Sequence, residues 1–279
     1  MLSTILYAAG CAGGHGGAAP ADTAHVAAMA HEHAGETPTA NASAMEPRVP
    51  VTGQEVGYAN VGGKMVSGYM AFPTAGGANA ALPGVLMIHE WWGLNDNVRM
   101  MARRLAGEGY RVLAVDMYGQ TATTSEQARG LMMQVMQNRG GGIENLRGAA
   151  DFLRGRGARK VGVIGWCFGG GWSLQTALQL SDRTDAAAVY YGQPVTDRAE
   201  LQKLDDPLIG FFGTADTGIP ADSVRVMEQS LKSLGKNVEI HYYEGAAHAF
   251  ANPSGQAYNA AAATDSWRRT VDFFNRTLK

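Results

Sequence analysis

The run Val161-Gly162-Val163-Ile164-Gly165-Trp166-Cys167-Phe168-Gly169-Gly170-Gly171 constrains this chain more than any other stretch. Its apolar first half reads as a buried strand, and a helix-compatible segment follows the glycines. Between them lies Gly165-Trp166-Cys167-Phe168-Gly169, a Gly-x-Cys-x-Gly turn. A strand that feeds a helix through so tight a turn pushes one side chain up at the carboxyl edge of the sheet. Such a turn is strained, and flanking glycines relieve the crowding around it. Cys167 is the side chain so presented, which makes it a candidate nucleophile. The N–H of Phe168 would then point at a developing oxyanion, at a helix N-terminus that favours negative charge. Taken alone, the motif also admits an inert buried cysteine in a glycine-rich turn.

The downstream chain supports the reactive reading. In the α/β-hydrolase fold, nucleophile, acid and histidine follow in that order. Pro207–Gly213 is an apolar strand, and its turn carries Asp216. Val238–Tyr243 is another strand, followed by a glycine-containing loop with His248. Both residues would project from the same edge as Cys167. His248 would take the thiol proton, and Asp216 would hold the imidazole in the right tautomer. His241 is a poorer candidate because it lies within a strand. Upstream, Val85–Ile88 is a short strand followed by His89-Glu90-Trp91-Trp92-Gly93. The loop at this point of the fold supplies the second oxyanion donor, for which Trp91 N–H is the candidate. Glu90 would then sit beside the thiol, accepting its proton or keeping it neutral until substrate arrives.

From about Val51 to Lys279 the chain resembles the dienelactone hydrolase family. The matching motifs are His89-Glu90-Trp91-Trp92-Gly93, Asp116-Met117-Tyr118-Gly119, Gly165-Trp166-Cys167-Phe168-Gly169-Gly170, Asp216 in its turn and His248-Ala249-Phe250. The resemblance implies a Cys-His-Asp triad on a single α/β-hydrolase domain. It also implies a glutamate that pairs with the resting thiol and swings aside when substrate binds. The implied activity is hydrolysis of dienelactones or related esters, without a metal or organic cofactor. One departure bears on substrate. The family holds its substrate carboxylate with two arginines, and those places here hold Gln120 and Asn252, neither able to make the charge-assisted bidentate contact. The hydrolytic chemistry therefore carries over better than the dienelactone substrate. Trp92, Gln120, Trp166 and Asn252 are the candidate pocket residues. Arg99, Arg103 and Arg104 fall on a helix and read as a solvated face rather than a replacement clamp.

The expected fold class is α/β: a mostly parallel sheet with helices on both faces, because strands alternate with helices throughout. Two early strands flank a Gly62-Gly63 hairpin turn. Asn95, Asp96 and Asn97 offer caps for a helix ending near Gly107. Helices are expected at Ser125–Gln137 and Ile143–Arg154, separated by Gly140-Gly141-Gly142. Pro220 opens another, and Tyr258–Thr277 closes the domain. Residues 49–279 suffice for one core. Residues 1–48 are dominated by Ala, Gly, His, Thr and Ser and read as a disordered leader or tether. Within that leader, His15, His25, His31 and His33 read as a solvated tail and not as a metal site. Ala8-Ala9-Gly10 before Cys11 resembles a lipoprotein cleavage box, so Cys11 is a candidate lipidation site. This favours an exported protein, periplasmic or lipid-anchored, over a cytoplasmic one. A net charge of −2 gives no electrostatic case for nucleic acid. No apolar run is long enough to span a bilayer.

The expected partner is thus a small ester or lactone, acted on by a monomer or dimer. Two rivals come from other classes. A noncatalytic binding protein would not need the complete Cys167, Asp216, His248 and Glu90 set. A thiol-based redox protein would use Cys167 alone, and a carboxylate near the thiol discourages the thiolate it needs.

Overall fold

The computed structural model describes residues 20–33, 46–77 and 80–279. Eight strands form one sheet: β1 (Val51–Val61), β2 (Lys64–Pro73), β3 (Gly84–Ile88), β4 (Arg111–Val115), β5 (Val161–Trp166), β6 (Ala186–Tyr190), β7 (Leu208–Gly213) and β8 (Val238–Tyr243). Their order is β1-β2-β4-β3-β5-β6-β7-β8. The β1–β2 and β2–β4 pairings are antiparallel, and every pairing from β4 to β8 is parallel. Gly62 and Gly63, both at positive φ, make the hairpin turn between β1 and β2.

Register shows why β3 to β7 are continuous apolar runs. Gly84 of β3 pairs with Val161 of β5, so the two face one side, and Gly162 faces the other. A Cβ on Gly84 would meet Leu153, whereas one on Gly162 would meet Leu278 and Phe274. Leu153 belongs to α4 (Arg139–Gly155) and the latter pair to α8 (Ala260–Leu278). Helices therefore cover both faces, and all five residues of β3 are buried. The edge strand β8 is only half-buried.

The remaining helices are α1 (Pro20–Glu32), α2 (Asp96–Ala106), α3 (Ser125–Gln137), α5 (Phe168–Gln179), α6 (Arg198–Leu201) and α7 (Ala221–Ser233). Among the described residues no helix is long and apolar enough to cross a membrane. The Asn95 side chain caps α2 through Val98 N–H. Three details depart from the sequence reading. Helix α4 begins at Arg139, with Gly140, Gly141 and Gly142 inside its first turn. Asn138 caps that turn through Gly141 N–H, and a Cβ at Gly142 would lie 2.5 Å from the Trp172 ring of α5. The glycines there serve a helix–helix approach rather than a break. Pro220 is the cap residue of α7 rather than its first helical residue.

The third departure is the leader. Pro20–Glu32 is a helix, although its composition reads as unstructured. Val26, Met29 and His33 fall at i, i+3 and i+7, one face of a helix, and all three are buried. Docking of that face supplies the packing that an isolated alanine-rich helix of this length lacks. Cys11 and His15, with the other residues of 1–19 and 34–45, lie outside the described residues.

Candidate active site

Cys167 sits at the junction of β5 and α5 with φ 55° and ψ −118°, a left-handed backbone that a non-glycine residue rarely adopts. The surrounding glycines make that conformation attainable. A Cβ on Gly165 would lie 2.1 Å from the Gly169 carbonyl oxygen. A Cβ on Gly169 would lie 2.3 Å from the Ile88 carbonyl oxygen of β3. Both clashes are with backbone, which cannot rotate away. Gly165→Ala is therefore expected to destabilise the fold by about 3 kcal/mol, the upper end for overpacking, and to lower the midpoint of urea unfolding. An unchanged midpoint would mean that the elbow has slack the packing does not show.

Asp216 and His248 come to the same edge from the loops after β7 and β8. Asp216 Oδ1 accepts from Gly218 N–H (2.9 Å) and Ile219 N–H (2.7 Å), so its orientation is fixed. Its Oδ2 lies 2.7 Å from His248 Nδ1, and both side chains are buried. His248 Nε2 is buried and has no hydrogen-bond partner. One nitrogen of His248, one of His33 and Cys167 Sγ all lie within 4.8 Å of one another. Burial alone would push the Cys167 thiol up; the imidazoles of His248 and His33 overcome it and bring the thiol down to about 6. Burial likewise opposes charging of His248, and the thiolate and Asp216 reverse it, holding the imidazolium well above the usual range. Both shifts favour transfer of the thiol proton to His248.

Glu90 is buried in the loop after β3. Its Oε1 accepts from Tyr191 O–H (3.3 Å) and its Oε2 from Asn252 Nδ2 (2.8 Å). Burial, with the nearby Cys167 charge, pushes its carboxyl up to about 7. Among the described residues no hydrogen bond joins Glu90 to the thiol, so the direct pairing implied by resemblance is replaced by electrostatic proximity. Tyr191, at φ 36°, is a second strained residue and packs 5.1 Å from the His248 ring.

Asn252 belongs to this site, as a positioning group for Glu90. Its Oδ1 accepts from Asn97 Nδ2 (3.2 Å) and Ser254 N–H (2.9 Å), which fixes the amide. Gln120 is exposed. What its segment contributes is backbone: a Cβ on Gly93 would come 2.8 Å from the Gln120 carbonyl oxygen. Neither residue restores an arginine clamp. Arg99 pairs with Glu55 and Arg103 donates to the Val51 carbonyl, which ties α2 to β1. Arg104 is not on a solvated face; it lies 4.1 Å over the Trp267 ring and lines a cavity of about 230 Å³ with Trp166 and Tyr190. Trp166 is buried against Tyr190. It separates that cavity from a small space beside Glu90 and Asn252, whose wall it also forms.

His89 has a structural role that sequence reasoning missed. Met117 N–H donates to its Nε2 (3.1 Å), so Nδ1 carries the proton and donates to the Glu90 carbonyl (2.7 Å). Burial keeps the ring neutral. The imidazole therefore pins the Glu90–Trp91 backbone to the loop after β4. That loop is itself closed by Asp116 Oδ1, which accepts from Tyr118 and Gly119 N–H. Neither Trp91 N–H nor Phe168 N–H is used in a hydrogen bond among the described residues.

The helix α1 was the other omission. Met29 Sδ lies 3.3 Å from Cys167 Sγ, and His33 Nε2 lies 3.9 Å from it. The His33 ring stacks on Trp91 at 5.6 Å and meets Trp92 edge-on at 6.2 Å. Cys167 is 1% exposed. The leader thus fills the space in front of the thiol, and its buried i, i+3, i+7 face was the signal available in sequence.

Sheet order, elbow and the carboxyl-edge placement of Cys167 and His248 put the molecule among the α/β-hydrolases. The dienelactone hydrolase family model matches residues 66–278. A protein of Aquifex pyrophilus called Usf is 33% identical over 235 residues, covering 81% of this chain and 99% of its own. An Aquifex aeolicus protein provisionally named carboxymethylenebutenolidase is 29% identical over 236 residues, covering 81% and 100%. A dienelactone hydrolase-like promiscuous phosphotriesterase from metagenomic libraries shares the fold, with TM-score 0.74, 22% identity and coverage of 82% and 99%. The chain belongs to the dienelactone hydrolase family, and its class is that of carboxylic ester hydrolases. The α1 helix precedes the matched region.

Proposed function

We propose that the protein hydrolyses small neutral esters and lactones with Cys167 as nucleophile, His248 as acid and base, and Asp216 as the group that orients His248. The observation that carries this reading is the buried, unpartnered His248 Nε2, facing Cys167 while Nδ1 is locked by Asp216 at 2.7 Å. The thiolate attacks the carbonyl carbon, and the carbonyl π pair moves to oxygen. Trp91 and Phe168 N–H groups donate to that oxyanion. Collapse expels the alkoxide, which takes its proton from the His248 imidazolium, and leaves a thioester. His248, now neutral, takes a proton from water; hydroxide adds to the thioester, and the thiolate leaves with the carboxylic acid product formed. The neutral preference follows from two acidic groups, Glu90 and the Cys167 thiol, with no arginine opposite them among the described residues.

The test is a panel of p-nitrophenyl acetate, a neutral enol lactone and a dienelactone with a free carboxylate. Turnover of the first two with the third poor is the expected result. Efficient turnover of the carboxylate substrate would refute the neutral preference. No turnover of any ester, with a thiol that reacts readily with peroxide, would favour the redox rival.

Glu90 supplies a further prediction. Activity that needs the thiolate rises with pH through the thiol pKa, so kcat/KM gains its acid limb near about 6. The Glu90 carboxyl, pushed up to about 7, titrates above that limb and only then adds a like charge beside the thiolate. Glu90→Gln removes this second ionisation, so the limb near about 6 should stay in place while any change of kcat/KM centred near about 7 disappears. A change near about 7 that persists in Glu90→Gln would exclude Glu90 as its source.

A further inference from the structure

We propose that Met29, His33, Cys167 and His248 form a site for a thiophilic d10 cation, copper(I) above all, that locks the hydrolase closed. The binding half stands on geometry alone, and only the inhibition rests on the proposed nucleophilic role of Cys167.

The donors converge in one buried space between α1 and the elbow. Cys167 Sγ has Met29 Sδ at 3.3 Å and His33 Nε2 at 3.9 Å. The nitrogens of His33 and His248 complete a cluster with Sγ in which no separation exceeds 4.8 Å. Donors bound at about 2.0–2.3 Å around a tetrahedral centre stand roughly 3.3–3.8 Å apart. The two sulfur contacts already fall near that range, and the longest separation needs to close by about 1 Å. His248 Nε2 is buried, unpartnered and aimed into the cluster. Its other nitrogen is held by Asp216 at 2.7 Å, the carboxylate–histidine arrangement that orients a metal ligand and raises its basicity.

The donor types select the ion. A thiolate, a thioether and two imidazoles suit copper(I) and, less well, zinc(II); they do not suit calcium or magnesium, which require oxygen. Binding needs the thiolate and two neutral imidazoles, so the proton shared by Cys167 and His248 leaves to solvent as the cation enters. No electron is transferred. Both catalytic groups are then consumed as ligands, and α1 is fastened over the site by its own Met29 and by His33 immediately after it.

The experiment uses the full chain under anaerobic conditions, with copper(I) buffered by bicinchoninate and, in parallel, zinc(II) against a chromophoric chelator. His33→Phe keeps the ring stacked on Trp91, and Met29→Leu keeps the apolar bulk, so thermal melts should match the parent protein. The parent should take up one copper(I) per chain, and that equivalent should silence ester turnover. His33→Phe should weaken both metals about tenfold or more, whereas Met29→Leu should weaken copper(I) and leave zinc(II) unchanged. At a free copper(I) level that silences the parent, His33→Phe should retain whatever turnover it shows without metal. Copper(I) affinity identical in parent and His33→Phe would overturn the proposal, because Cys167 alone would then account for binding. Metal uptake that depends on Met29 and His33 in a chain without ester turnover would uphold the site and reject the hydrolase reading.

Discussion

Replacing Cys167 by alanine is expected to lower kcat/KM for p-nitrophenyl acetate by at least about 10³-fold. The magnitude follows from what remains. His248 held by Asp216 would still orient a water, and Trp91 and Phe168 N–H groups would still face an oxyanion, which supports only a residual rate. The substitution removes a sulfur from a buried position without creating a clash, so folding should be retained and a thermal melt would verify it. The comparison separates a nucleophilic cysteine from a site in which His248 activates water directly. In the second case Cys167→Ala would keep most of its activity.

A double replacement of Met29 and His33 by alanine should act in the opposite direction, raising kcat/KM about tenfold. Met29 is fully buried against the thiol, and His33 is stacked on Trp91. Burying one methionine side chain is worth about 1.5–3 kcal/mol. The conformational entropy lost on ordering the helix opposes that gain, so a net closure of about 1.4 kcal/mol, a factor of about 10, is the reasonable scale. Substrate binds only the open form, and its apparent affinity falls by the open fraction. The gain should therefore appear in KM, with kcat nearly unchanged, in chelator-treated protein. An unchanged KM would mean that α1 does not obstruct the site in solution.

The legible part of this structure was the part written in local pattern. The apolar runs of β3, β5 and β7 and the turn glycines at 165 and 169 announce a parallel sheet and an elbow. Chain order then singles out Cys167, Asp216 and His248 as residues of one edge. What was illegible depends on packing between distant segments. Gly140 to Gly142 look like a break in sequence, yet the Trp172 ring explains their place inside α4. His89 looks like part of a recognition motif, yet it serves as a neutral pin between two loops. Asn252 looks like a lost arginine, yet its amide holds Glu90. Composition misled most at α1, because low apolar content averages away three buried side chains on one face. Only the receiving surface of Trp91 and Cys167 makes that face worth burying.

The measurement that tests the central claim most directly is mass spectrometry of the protein quenched during turnover of p-nitrophenyl acetate, followed by peptide mapping. The account predicts one acetyl group, carried on the peptide containing Cys167 and removable by hydroxylamine as a thioester. Acetylation absent from Cys167 in protein that is turning over, or carried on another residue, would contradict it.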